Sequence, residues 1–283
     1  MLTGRNITFF AYPLSFKEFL KFKGISVDTE LEILSKRVEI KRSLDEYIEF
    51  GGFPEVALST EKKRILLGYF DTIITKDTIE RFNIREREKI KTLSKFYLTN
   101  IASPVSFQKV SSFLNIPHAT VDRFSEYLQI ACLVFFITKF SFSVKEQEKA
   151  QRKVYSIDIG LSNAIGFRFT RNSGKLMENI VAIELKIRQS FEPGIDIYYW
   201  KDSSGREVDF LVKDGLKVTE LIQVCQDMSD MGTKEREVKG LVRAMEEFNI
   251  KKGLIITETF EDEEKIDDKE LIYVPLWKWL LSK

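Results

Sequence analysis

Apolar positions recur near a helical period through the first third of this chain. Leu31, Leu34 and Val38 are followed by Leu44, Tyr47 and Ile48, and then by Ile65, Leu66, Tyr69, Phe70 and Ile73. That spacing predicts helices over residues 26–85. They break at Gly51–Pro54 (GGFP), where adjacent glycines permit positive φ and Pro54 stops regular pairing. The mixed-sign run Lys76–Arg87 reads as a solvated loop or helix edge. Ahead of these helices, Ile7–Tyr12 reads as one short apolar strand, and a helix follows from Ser15 to Lys23, with Ser15 and Glu18 in capping-box spacing. A lone strand needs a sheet to join.

The next stretch has the rhythm of a winged helix. One helix is expected at about Glu88–Asn100, a second after Ser106, and a third at about Ala119–Ile130 beyond the turn NIPHAT. Strands follow at about Leu133–Phe142 and Arg152–Ile157, with the polar tip SVKEQEKAQRK between them as the wing. In a helix-turn-helix the second helix of the motif enters the major groove. The base-reading positions would be His118, Thr120, Asp122 and Arg123, although Asp122 repels phosphate. Lys109, Lys145, Lys149, Arg152 and Lys153 are the candidates for contacts to the DNA backbone. The alternative is a winged helix that joins domains or binds protein.

From residue 166 onward helices and strands alternate. A helix at about Ser173–Ser190 precedes strands at Ile195–Trp200, Glu207–Lys213 and Lys217–Val224. A helix at about Lys234–Phe248 and an all-apolar strand, Gly253–Thr257, come next. EDEEKIDDKE reads as an acidic loop before a last strand, Leu271–Pro275, and a short helix, Leu276–Leu281.

Composition narrows the function classes. The chain has 283 residues, of which 43% are hydrophobic and 31% charged, with a formal net charge of +1. It can fill roughly two domains, and its charge gives no global attraction to nucleic acid. One histidine argues against a His-based zinc site or a Ser-His-Asp triad. Cys132 and Cys225 lie far apart and read as reduced, buried thiols. With neither a signal-peptide pattern nor an apolar run of ~20 residues, a cytoplasmic protein without a membrane partner is expected.

Several strings resemble, in order, a prokaryotic, archaea-rich family of predicted AAA-type ATPases that carry a C-terminal domain of unknown function, family 4143. They are LTGR and PLSFKEFL near the start, YIEFGGFPEV at Tyr47–Val56, KDTIERFNI at Lys76–Ile84, GKLMENIVAIEL at Gly174–Leu185, and the hairpin Tyr199–Asp227. The resemblance implies that residues 1–25 are the end of an ATPase domain and that Arg5 could face a nucleotide in an intact one. The phosphate-cradling string GxxxxGK[ST] is absent from the sequence, so this chain is not expected to hydrolyse ATP. ATP becomes a cofactor only if an ATPase domain lies upstream.

The C-terminal order of helix, three-strand meander, helix and strand is similar to the core of PD-(D/E)xK nucleases. With a helical N-terminal segment over 26–85 and a winged helix over 86–165, the chain reads as α+β or α/β multidomain, and the resemblance implies that 166–283 is a restriction-endonuclease-like α/β domain with a mixed central sheet. It also implies a catalytic constellation of Glu178, Asp209 and Gln223, with Asp209 and Gln223 as ligands for Mg²⁺ or Mn²⁺. Hard divalent cations favour such oxygen donors. The matching lysine position holds Cys225, a soft thiol unable to supply a positive charge. Lys186, about two helical turns from Glu178, and Lys213, beyond Asp209 on its strand, are the lysines that could replace it. In a plainer alternative, Glu178 caps or pairs on the helix surface and Asp209 pairs with Arg206 or Arg236. The expectation is a DNA- or partner-binding module with a degenerate nuclease-like domain. A metal-dependent nuclease with a displaced lysine and a pure protein-interaction scaffold remain open.

Overall fold

The computed structural model describes residues 10–167 and 173–282. Residues 7–9 of the strand expected at Ile7–Tyr12, and Arg5 with them, lie outside the described residues, and Phe10–Tyr12 form no strand. The chain then forms helices α1 (Phe16–Phe22), α2 (Glu30–Ser35), α3 (Arg37–Phe50), α4 (Pro54–Leu58) and α5 (Lys62–Thr72). The α1 capping box forms: the Ser15 hydroxyl accepts the Glu18 N–H at 3.3 Å, and the Ser15 N–H donates to the Glu18 carboxylate at 2.8 Å. Pro54 starts α4 rather than ending regular structure, because at the first helical position no N–H is needed. After α5 a π-helix, Ile73–Glu80, carries the chain into the mixed-charge stretch expected to be a solvated loop or helix edge.

Next come α6 (Arg87–Thr99), β1 (Ser103–Val105), α7 (Phe107–Leu114), α8 (His118–Ile130), β2 (Val134–Ile137), α9 (Val144–Lys149), β3 (Arg152–Ser156) and α10 (Ile159–Ile165). The three strands form an antiparallel sheet in the order β1-β3-β2. The polar tip is not a plain hairpin loop, since it contains α9, capped by the Ser143 hydroxyl. Its base is sewn to the second sheet: the Phe140 N–H donates to the Tyr199 carbonyl at 2.7 Å, and the Tyr199 N–H to the Thr138 carbonyl at 3.1 Å.

The C-terminal part comprises α11 (Ser173–Phe191), β4 (Ile195–Lys201), β5 (Glu207–Asp214), β6 (Lys217–Val224), α12 (Met231–Phe248), β7 (Lys252–Thr257), β8 (Asp262–Ile266), β9 (Lys269–Pro275) and α13 (Leu276–Leu281). Its six-stranded mixed sheet has the order β4-β5-β6-β7-β9-β8, parallel between β6, β7 and β9 and antiparallel elsewhere. The acidic stretch expected to be a loop is largely the edge strand β8, whose charged side chains suit an edge.

The apolar core crosses these parts. Phe16, Phe19, Leu20, Ile40 and Tyr47 share one cluster with Ile180 and Val181 of α11, Phe210 of β5 and Trp277 of α13. By contrast, Leu31 and Val38, expected on a helical apolar face, are 78% and 80% exposed. A third junction is polar. Gly51 has φ +79°, and the buried Asp158 caps α10 while accepting the Gly52 N–H at 2.7 Å and the Leu161 N–H at 3.2 Å.

Candidate functional site

The hairpin β5–β6 and helix α11 bring the three resemblance-implied residues together, all of them buried. Asp209 and Gln223 face each other across the hairpin: the Gln223 side-chain oxygen accepts the Asp209 N–H at 3.1 Å, and Asp209 Oδ2 accepts the Val224 N–H at 3.0 Å. Glu178 approaches from α11. Its neighbour Asn179 clamps the end of β3 through both backbone groups of Ser156, at 2.8 and 3.0 Å. This clamp fixes β3 against the helix that carries Glu178.

The centre of the site is a residue from the other sheet. Lys153 of β3 is only 2% exposed, and its Nζ lies 2.8 Å from Asp209 Oδ1, 3.0 Å from Glu178 Oε1 and 2.7 Å from Glu207 Oε1. An ammonium has three N–H donors, and here each meets a carboxylate. Tyr155, two residues on along the same strand, donates its hydroxyl to Glu178 Oε1 at 2.8 Å. Alternation along β3 puts Lys153 and Tyr155 on one face.

The electrostatics follow from three acids sharing one cation. Burial, then the Asp209 charge, pushes the Glu178 carboxyl up to about 7 against the pull of Lys153. Lys153 itself is held well above the usual lysine range: burial opposes its charge, but Asp209 and Glu178 outweigh it. Glu207 is lowered. Burial opposes this, but the charges and hydrogen bonds of Lys153 and Lys201 outweigh it. Isolated burial of so many charges would be prohibitive, and mutual pairing is what makes the cluster tolerable. A cavity of about 290 Å³ opens on Glu178, Glu207, Asp209 and Gln223, with Arg206, Arg236 and Glu237 at its mouth.

This donor set does not fit a divalent cation. Lys153 already sits where Glu178 and Asp209 converge. The Gln223 oxygen is turned to a backbone N–H, while its amide nitrogen donates to Glu237 at 2.5 Å. Among the described residues, no group of three or more His, Cys, Asp or Glu side chains is arranged to hold a metal ion. Cys225 lies in an apolar cluster with Trp200, Leu241 and Met245; burial, then the charge of Glu237, raises its thiol to about 11. Cys132, expected to be buried as well, is exposed at the end of α8.

Other candidate residues lie elsewhere. Lys186 bonds Gln189 at 2.8 Å and Lys213 pairs with Asp196 at 3.2 Å, so neither enters the site. Arg206 pairs with Asp202 and Arg236 with Glu237, so neither is the partner of Asp209. On the α8 side, His118 and Arg123 are exposed, whereas Thr120 is buried. Lys145 and Lys149 are exposed on α9, and Arg152 is half-buried beside Glu148 at 3.3 Å. Lys153, expected to meet a DNA backbone, faces inward because three carboxylates draw its ammonium into the interior. Sequence reading missed Lys153, Tyr155, Glu207 and Asn179 as neighbours of the site. The signal available was a lysine in step with Tyr155 on one face of a short strand.

Fold and site together define a mixed α+β chain in which a lysine of the small sheet is buried among carboxylates of the large sheet and its flanking helix. Residues 41–172 match the model of a domain of unknown function, DUF8612, and residues 173–279 match that of another, DUF4143. The chain is 36% identical, over 99% of its length, to an uncharacterized protein of Methanocaldococcus jannaschii. It is 29% identical, over 98% of its length, to an uncharacterized protein of Haemophilus influenzae. It spans 65% and 66% of the length of these two relatives. No solved structure matches the chain. No helix among the described residues is long and apolar enough to cross a membrane.

Proposed function

We propose that this chain is the C-terminal, nucleic-acid- or partner-binding portion of an AAA-type ATPase-associated protein, with a nuclease-like domain that no longer cuts. In this reading residues 86–165 act as a winged helix and residues 166–283 as a PD-(D/E)xK-type domain. The observation that carries it is Lys153. Its ammonium takes the position between Glu178 and Asp209 that a catalytic metal would need, and it comes from outside the nuclease-like domain. The old site would then serve as an ionic lock joining the two parts.

A metal-dependent nuclease is the competing reading, and one observation favours it. Lys153 restores a positive charge beside the acids at a site whose usual lysine position holds Cys225, and a cavity opens beside them. Incubation of purified protein with single- and double-stranded DNA in Mg²⁺ or Mn²⁺ separates the two. The lock reading expects no cleavage above the level of Asp209→Ala. Cleavage abolished by both Asp209→Ala and Lys153→Met would establish the nuclease instead.

A further inference from the structure

The junction between the two sheets forms a second cleft, of about 520 Å³, that the lock does not use. One wall is the segment leaving β2, with Lys139, Phe140 and Phe142; the other is the end of β4, the turn after it and α12, with Trp200, Arg206 and Arg243. Phe142 is 84% exposed, yet it is not a loose side chain. Its ring packs edge-on to Phe140 at 5.1 Å, and Phe140 in turn packs edge-on to Phe248 at 5.2 Å. The cleft therefore presents a braced aromatic surface to solvent, where burial would have been favourable.

The cations around that ring are not all consumed. Lys139 has no ion-pair partner among the described residues. Arg206 is held by Asp202 through Nε at 2.7 Å, and a guanidinium has further N–H donors beyond that one. The carboxylates of the cleft already have donors: Glu146 takes the Ser141 hydroxyl at 2.9 Å and Glu247 takes the Trp200 indole N–H at 3.2 Å. Arg243 is paired with Glu246 through one terminal nitrogen at 3.2 Å, so it too keeps N–H donors that an anion could take.

The cleft also borders two neighbouring cavities. It shares Arg206 with the cavity over Asp209, and Ala150 with a cavity of about 340 Å³ lined by His118, Lys149 and Arg152. An extended chain molecule with repeated anionic groups and flat apolar faces would follow such a track. Single-stranded nucleic acid has this chemistry: its phosphates suit scattered cations and its unpaired bases stack on exposed aromatics. A duplex keeps its base faces stacked internally and has none to offer Phe142.

From this we infer that the cleft between β2 and β4 binds single-stranded nucleic acid, with a base on Phe142 and phosphates at Lys139, Arg206 and Arg243. The inference rests on the nucleic-acid-binding reading above and gives that reading a place and a ligand. Fluorescence anisotropy of the whole chain with a labelled single-stranded oligodeoxynucleotide, and with its duplex, tests it. The single strand should bind more tightly than the duplex. Phe142→Ala should weaken single-strand binding roughly tenfold, with an unchanged circular dichroism spectrum. Lys139→Ala and Arg206→Ala should flatten the salt dependence. Equal affinity for duplex, or an unaltered Phe142→Ala variant, overturns the inference. Loss of binding on Arg123→Ala but not Phe142→Ala would place the ligand on α8, leaving the wider reading intact. No binding of either nucleic acid would remove both the cleft assignment and the nucleic-acid half of that reading.

Discussion

Three carboxylates and one ammonium meet within 3.0 Å at Lys153, so removing one charge type alone leaves the other uncompensated. Lys153→Met would leave Glu178, Glu207 and Asp209 facing one another without compensation. Loss of one partner of a buried pair costs about 3–5 kcal/mol, so urea unfolding should show a fall of that order. Adding Glu178→Gln and Asp209→Asn to Lys153→Met should recover much of it. A Lys153→Met variant as stable as the parent would mean that the lock does not form. Proton linkage gives a second test. Burial pushes Asp158 up to about 6 despite its backbone hydrogen bonds, and Glu178 is up to about 7. Unfolded values lie near about 4. Between about pH 4 and 7 the folded state therefore binds more protons at these groups, and their contribution to stability falls as pH rises. The raised Lys153 acts in the other range: its share persists at neutral pH and is lost only as pH climbs above about 10. Urea unfolding at pH 5 and pH 7.5 should show a smaller decline for Asp158→Asn than for the parent. An identical slope would contradict the buried, raised carboxyl. Asp209 and Gln223 were legible in sequence because they sit opposite each other in one hairpin. Lys153 was not, because it lies 25 residues from Glu178 and 56 from Asp209, and nothing local marks a strand lysine as buried.

Among the elements, the GGFP turn shows most plainly how local chemistry sets the fold. At Gly51 a Cβ would stand 2.1 Å from Asp158 Oδ1 at a φ of +79°. Gly51→Ala should cost at least about 2 kcal/mol, since strain and a clash with a buried carboxylate coincide. Gly68 inside α5 is the control, because no atom lies within 4 Å of its added Cβ. Gly68→Ala should raise stability by about 0.5–1 kcal/mol through helix propensity. Thermal or urea melts of the two variants should move in opposite directions, and a shared direction would refute this account of the turn. The capped helix α1 and the strongly periodic helices α8 and α11 were readable to within a few residues. The edge strand β8 was not, because charge on an edge strand hides its β character. Nor did periodicity say which way a helix faces: Leu31, Leu34 and Val38 keep helical spacing but point outward.

At the scale of the whole molecule, the parts are joined in ways that no string reveals. The α1–α3 helices share their apolar core with α11 and α13, the segment after β2 pairs with the edge strand β4, and Lys153 reaches from the small sheet into the large one. The order of elements was legible because each element carries its own period. The joints were not, because each is made by residues distant in sequence whose meeting depends on packing. The site therefore belongs to neither sheet alone, and its ammonium is supplied by the same contact that holds the two together. Mn²⁺ titration followed by electron paramagnetic resonance tests this most directly, on the parent chain and on Lys153→Met. The account predicts that the parent shows no Mn²⁺ site dependent on Asp209, because the lysine holds that position. A tight Mn²⁺ site in the parent that disappears with Asp209→Asn would contradict it.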